Sequence, residues 1–293
     1  METPGLVPPP PPPPPLQPAR KQADERPSGD NLDNAETSVR NVLHRRLHWM
    51  TAGHHDAVVV SKVSSLKPVL QSGPQCGLVA LSMASQLLPR DGHPVSVGEL
   101  FEMAKSLRFT EKGEMFSAGH MKTLAETCLG GCQARLVCDD HRAEIVGHLI
   151  RGKPVLIPYD SDGNFEPCLK SGHTAHWAVL HGSSSLQSPN TFLLASPASF
   201  SGGPATPSSV PPPGAGSPRE LLLPLALLGG VDAAVFVCAS QGKSRHVGLW
   251  GLERLLDSNH NLAHLGPRHR AAEFVVPAGG VAEGLAGQVL LLA

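Results

Sequence analysis

The sequence predicts an α+β fold in which N-terminal helices pack on a C-terminal antiparallel sheet. Apolar residues recur at helical spacing through the first half of the chain, and the pattern then changes to short apolar runs bounded by Gly, Pro or Ser. Helices first and strands second is the order of a segregated α+β domain. Part of the chain is linker, because Pro (29) and Gly (30) are clustered and make up about a fifth of the 293 residues.

Residues 1–35 contain an unbroken proline run from Pro8 to Pro15, then Pro18 and a polar stretch. Consecutive prolines hold φ near −65° and donate no backbone hydrogen bonds, so this disordered, proline-rich segment should form a solvated polyproline II rod. Such a rod is either a stiff spacer or a ligand for an aromatic-lined groove. Residues 36–293 are expected to form one domain. Its first helix, Thr37–Met50, carries Val39, Val42, Leu43, Leu47 and Met50 on one face and basic residues on the other. A second helix should start at the Gly73-Pro74-Gln75-Cys76 turn and run through Leu88. A third opens at Ser96 with Glu99 three residues on, a capping box. Ser117–Cys128 and Arg142–Arg151 complete the helical half.

Strands are expected at Pro154–Pro158, Trp177–Leu180, Thr191–Leu194, Ala234–Cys238 and Phe274–Val276, with a helix around Gly251–Asp257 and a loop at Arg245–His246 leading into a strand. The Gly/Pro/Ser-rich stretch 201–218 reads as a flexible insertion.

Composition excludes several classes. The 24 basic and 25 acidic residues leave a formal net charge of −1, so no global field favours nucleic acid or an anionic membrane. No stretch approaches the ~20 apolar residues of a membrane span, and the N-terminus lacks an apolar signal core. The six cysteines (76, 128, 132, 138, 168, 238) follow no short disulfide-scaffold spacing. Reduced thiols in a cytosolic or nuclear protein are expected, the cytoplasm first. The Cys128, Cys132, Cys138, His141 series is too irregular for zinc and lacks a second knuckle, so no metal or cofactor is expected. Cys168, His173, His176 and His181 are discounted as a metal cluster too, since a strand turns His176 and His181 apart. Glu114 and Glu166 read as solvated acids near the site loops, with a contribution to recognising a substrate end as the alternative.

The chemistry concentrates in two segments. In QSGPQCGLVAL a Gly-Pro turn delivers Cys76 to the first turn of an apolar helix, where unpaired N–H groups and partial positive charge favour thiolate. Gly77 leaves room for a substrate backbone. A buried structural cysteine is the alternative for this position alone. In GHTAHWAVL, His176 opens a buried strand that can hold an imidazole rigidly. A cysteine at a helix start and a histidine at a strand start about a hundred residues later together suggest a nucleophile and its base.

These segments, with GEMFS (113–117), LIPYD (156–160), QGKS (241–244) and VVPAGGV (275–281), resemble the actin-maturing branch of the bacteriocin-processing type of papain-like cysteine peptidase. The resemblance implies a papain-like cysteine peptidase fold and a thiol aminopeptidase that removes an N-terminal acetylated residue from immature actin. Cys76 and His176 match its nucleophile and base. It further implies an oxyanion-stabilising glutamine, for which Gln71 fits one residue closer to the cysteine than usual and Gln75 is the fallback. Related domains orient the histidine with Asp-Pro; here Ser196-Pro197 stands in that place, and Asn190 or an acid elsewhere are the alternatives. Actin as substrate and profilin as a partner of the proline-rich head follow from the same resemblance. A different thiol acyltransferase (deubiquitinase or transpeptidase type) and a non-catalytic polyproline-bearing scaffold remain as rival readings.

Overall fold

Every residue from Gly77 to Ser85 is buried, so the helix that opens at Cys76 is covered on all sides and runs through the interior. A computed structural model describes residues 58–88, 93–139, 142–187, 234–266 and 273–293 of the chain. The proline-rich head, the helix expected at Thr37–Met50, the strand expected at Thr191–Leu194 and the 201–218 insertion lie outside the described residues.

The buried helix, α1 (Cys76–Ser85), follows Gly73, whose φ of +67° suits glycine in the turn that redirects the chain. It ends before the expected Leu88 because Gln86 and Leu87 already donate to Met83 and Ala84, i→i−3 bonds that tighten the last turn. Helix α2 (Val97–Ser106) carries the expected capping box: Glu99 N–H donates to Ser96 Oγ, and Ser96 N–H donates to Glu99 Oε2 at 2.8 Å. Helix α3 (Ala118–Cys128) is capped by Ser117, whose Oγ accepts from His120 N–H. Three more follow: α4 (Arg142–Ile150), α5 (Leu252–His260) and α6 (Gly280–Leu285).

The strands are β1 (Val58–Val63), β2 (Ala134–Cys138), β3 (Val155–Asp160), β4 (Ala175–Gln187), β5 (Ala234–Gln241), β6 (Gly248–Gly251) and β7 (Gln288–Leu292). Six lie in the order β2-β7-β3-β4-β5-β6, every pair antiparallel, and β1 joins β4 as a seventh. Strand β4 is the long one. Its first half pairs with β3 and its second half with β1 along the same edge, while β5 runs along the other edge.

Alternating side chains divide the core into two layers. Trp177, Val179, Leu156, Leu290 and Leu292 face α1, α2 and α3, where they meet Leu78, Leu81, Leu100 and Leu124. Ala178, Leu180, Ile157, Val289 and Leu291 face α4 and α5, packing on Ile145, Leu149, Leu252 and Leu255. The helices therefore cover both faces, which explains why the central strands read as continuous apolar runs.

Two features depart from the sequence-based expectation. Phe274–Val276 forms no strand, because the N–H of Val275 donates to Glu114 Oε1 at 3.0 Å and Pro277 follows. The C-terminal strand is β7, beyond a helix absent from the expected set. Strands β1 and β2 also precede or interrupt the helical half, so segregation of helices from strands is incomplete.

A bulge in β4 stitches the sheet together. The register with β5 shifts between Leu180 and Gly182, leaving His181 as the extra residue. Its Nδ1–H donates to Ser64 O at 2.7 Å, a carbonyl that can only accept, so its Nε2 accepts from Ser240 Oγ at 3.1 Å. Burial lowers the His181 pKa to about 4. The neutral ring is thus favoured in the fold, and stability present above pH ~6.5 is lost as pH falls toward 4, by about 3 kcal/mol over that window. Urea unfolding at pH 7 and pH 4.5 should show a smaller acid loss for His181→Gln than for the wild type. Equal losses would remove His181 from the acid response.

Candidate active site

Antiparallel pairing of β3 with β4 sets Tyr159 opposite His176 and Pro158 opposite Trp177, so LIPYD and AHWAV meet across the sheet. Helix α1 presents Cys76 to the same place. A cleft of about 320 Å³ is lined by Cys76, His176 and Gln71, with Met115, Phe116, Leu265, Phe274 and Leu285 among its apolar walls.

His176 is buried, with Tyr159 edge-on at 5.9 Å and Phe165 at 6.5 Å between ring centres. Its Nε2 lies 3.2 Å from Gln241 Oε1. That amide cannot be turned round, because the same Oε1 accepts from the backbone N–H of Lys243 at 2.6 Å. Nε2 is consequently the protonated nitrogen and Nδ1 carries the free lone pair. Burial, with a smaller contribution from the Lys243 charge, lowers the His176 pKa to about 4 against the opposing pull of Gln241.

Burial likewise pushes the Cys76 thiol above its ordinary value, outweighing the N–H groups of Trp177, Gly77 and Cys76 itself and the Lys243 charge, all of which favour thiolate. The helix start supplies the expected donors, yet the expected net preference for thiolate is reversed by desolvation. Gly77 also has a different role from the one read in the sequence. A Cβ there would stand 2.7 Å from Met121 Cε and 2.9 Å from Met115 Cβ, so the glycine admits core packing rather than substrate.

Of the two candidate glutamines, Gln71 lines the cleft and Gln75 packs against Gly113, where a Cβ would come within 2.4 Å of Gln75 Cγ. Gln71 Nε2 donates to Gly73 O at 2.7 Å, its N–H donates to Gly242 O, and its buried Oε1 has no partner among the described residues.

Two buried carboxylates hold the cleft walls. Glu114, expected to be solvated, is instead buried and accepts backbone N–H bonds from Glu111 and Lys112 at 2.8 Å and from Val275 at 3.0 Å. These donors hold its carboxyl below the usual range despite burial. Asp160, fully buried at the end of β3, accepts from the backbone N–H groups of Lys170, Gly172 and Thr174 and from Thr174 Oγ1. It shapes the loop that brings Gly172 and His173 to the cleft. Glu166 is half-buried.

Gln241, Lys243 and the Trp177 N–H are the neighbours of the Cys–His pair to which the sequence assigned no role, although QGKS (241–244) was among the segments that carry the resemblance. Ser196, Pro197 and Asn190, the expected orienting positions, lie outside the described residues, as does His141. All six cysteines are free thiols. Among the described residues no group of three His, Cys, Asp or Glu could hold a metal ion, and no helix is long and apolar enough to cross a membrane.

Comparison with known proteins adds the family. A family model described as actin maturation protease-like, C-terminal domain, matches residues 66–184. The actin maturation protease of Bos taurus is 37% identical over 305 residues, covering 99% of this chain and 81% of that protein. Its counterpart in Danio rerio is 40% identical over 239 residues, covering 76% and 71%. The Mus musculus protein is 42% identical over 241 residues, and the match spans 62% of its length and 78% of this chain. Among solved structures, the peptidase domain of Streptococcus ComA, a bifunctional ABC transporter of a quorum-sensing pathway, aligns with 78% of this chain and 97% of its own at 14% identity and a TM-score of 0.36. With relatives of this similarity spanning most of both sequences, the chain belongs to the actin maturation protease family.

Proposed function

We propose that this protein is a cysteine aminopeptidase that removes the N-terminal acetylated residue of immature actin, with Cys76 as nucleophile and His176 as base and then acid. The observation that carries the reading is the tautomer of His176: with Nε2–H committed to Gln241, Nδ1 is left to take a proton. The names of the relatives supply the substrate.

Burial raises the thiol and lowers the imidazole, so the resting pair is neutral. The S–H proton therefore passes to Nδ1 as sulfur attacks the carbonyl carbon of the acetylated residue. The tetrahedral oxyanion is held by the Cys76 N–H at the helix start and by the Gln71 amide. Collapse breaks the C–N bond, and the imidazolium donates its Nδ1 proton to the departing amine. Water then attacks the thioester, losing a proton to Nδ1, which returns it to sulfur as the acid leaves. Gln241 keeps the ring in the productive tautomer through both steps. The apolar walls suit a blocked, uncharged end, and the Glu114 carboxylate is already taken up by backbone N–H groups.

Cys76→Ala should remove all cleavage of acetylated actin N-termini, read by mass spectrometry, with an unchanged circular dichroism spectrum. His176→Ala should cost at least ~10²–10⁴-fold in kcat. Full turnover by either folded variant would sink the mechanism, and normal kcat in His176→Ala with loss in His173→Ala would move the base to His173.

Gln241→Ala should lower kcat by roughly ten- to a hundredfold with KM little changed, since it disorders the base without touching the substrate. A change confined to KM would contradict a positioning role.

We assign the proline-rich segment, residues 1–35, to recruitment of profilin-bound actin in the cytoplasm. Deleting it should slow cleavage of actin with profilin at low concentration and leave short peptides unaffected, because tethering raises effective concentration alone. Equal rates on every substrate would make the segment a spacer.

A further inference from the structure

His176 meets the cleft on one side and two aromatic rings on another. Tyr159, its partner across the β3–β4 pair, stands edge-on at 5.9 Å, and Phe165 lies tilted by 32° at 6.5 Å between ring centres. Neither ring lines the cleft, so a bound substrate would leave this side of the imidazole to them. Tyr159 is fully buried and Phe165 half-buried, which makes Phe165 the outermost of the three rings.

The loop that carries Phe165 is built around an unfavourable backbone. Phe165 has a φ of +64°, in the left-handed region that a residue with a Cβ rarely adopts. The two residues before it, Gly163 and Asn164, are the types that tolerate that region best, yet neither occupies it. Hydrogen bonds on every side hold the conformation. Asp162 Oδ1 accepts from the N–H groups of Asn164 and Glu166 at 2.8 and 2.9 Å, and Asp162 N–H donates to Glu166 O at 3.0 Å. Phe165 N–H donates to Asp162 O, and Phe165 O accepts from the Tyr159 hydroxyl at 2.9 Å. Strain that the surroundings over-determine in this way points to a task for the residue that bears it. Here the task belongs to the ring, because a glycine would suit the backbone better.

We infer that Phe165 is a positioning residue for the reaction: latched by the Tyr159 hydroxyl, its ring keeps water from the side of the imidazole that substrate does not cover. This rests on the peptidase reading given above and adds to it what keeps the base dry. Burial is the main cause of the low His176 pKa, and this ring is part of that burial. The other ionisable groups about the imidazole are Cys76 of α1, Tyr159 of β3, Lys243 after β5, Glu114 and His173 in the cleft walls, and Asp162 and Glu166 on the loop itself. Removing the Phe165 ring changes none of them.

In the full chain carrying Cys76→Ala, isotope-labelled histidine lets His176 be titrated by NMR. The same Phe165 and Tyr159 changes in the active protein are followed by kcat/KM on an acetylated peptide across pH. Phe165→Gly removes the ring and suits the left-handed backbone, so the circular dichroism spectrum should be unchanged. The His176 midpoint should nevertheless rise from about 4 toward its ordinary value, by roughly one to two units. Since the base must be neutral to take the thiol proton, kcat/KM of Phe165→Gly should fall about tenfold from pH ~7 to pH ~5, against less than ~twofold for the wild type. Phe165→Leu keeps apolar cover and should hold the wild-type midpoint. Tyr159→Phe loses only the latch and should raise the midpoint by a smaller amount. An unmoved midpoint in Phe165→Gly overturns the proposal, as does a Phe165→Leu midpoint as high as that of Phe165→Gly. A loss of kcat/KM equal at both pH values would make the loop merely structural and overturns it too. The titration needs no substrate. Should the wild type cleave no peptide, the peptidase reading falls, while the His176 midpoints still decide whether Phe165 covers the ring.

Discussion

Strand β4 is the reference to which every group in the cleft is set. It pairs with β3, β5 and β1, so its position is fixed on both edges. From it, His176 reaches Gln241 at the end of β5, and Trp177 donates its indole N–H to Met115 O at 2.8 Å, pulling the loop before α3 against the sheet. Helix α1 packs with Trp177 and Val179, and its first residue, Cys76, lines the same cleft as His176. An error in the β4 register would flip His176 to the other face of the sheet.

Loops complete what the sheet begins, and buried carboxylates hold them. Asp160 and Glu114 each gather several backbone N–H donors that a loop would otherwise leave unpaired. Burying an ion is costly unless such donors replace water. The arrangement makes the walls rigid without a regular element, so the cleft keeps its shape where the backbone is irregular. Four positive-φ residues fall in these walls or close to them: Phe165, Ser171, Gly172 and Gly113.

Local signals account for much of what was legible in the sequence. The capping box at Ser96 and Glu99, the Gly-Pro turn before Cys76 and the apolar runs at β3, β4 and β5 involve residues close together in the chain, and each appears near its expected place. Contacts made across long separations were not legible. Gln241 meets His176 only because β5 pairs with β4, 65 residues on. The Phe274-Val-Val run has strand composition, but the donor needed for a ladder is claimed by Glu114, 161 residues away. The second helical layer was missed for a related reason: α4 and α5 show ordinary amphipathic patterns that do not say which face of the sheet they cover. The thiol's electrostatics were half legible, since a helix start can be read from sequence and the degree of burial cannot.

The place of β7 in the sheet has a consequence for how the protein is made. Residues 288–292 lie between β2 and β3, so neither neighbour has its full set of backbone partners until the ribosome has passed Leu292. Cys76 and His176 are synthesised more than a hundred residues earlier, yet the sheet that frames their cleft stays open along one line. Emerging chains therefore carry a thiol and an imidazole without a closed scaffold, and the edges of β2 and β3 that face β7 stay unpaired until β7 has been made. Topology of this kind also ties the onset of peptidase chemistry to the synthesis of β7, a timing built from strand order alone.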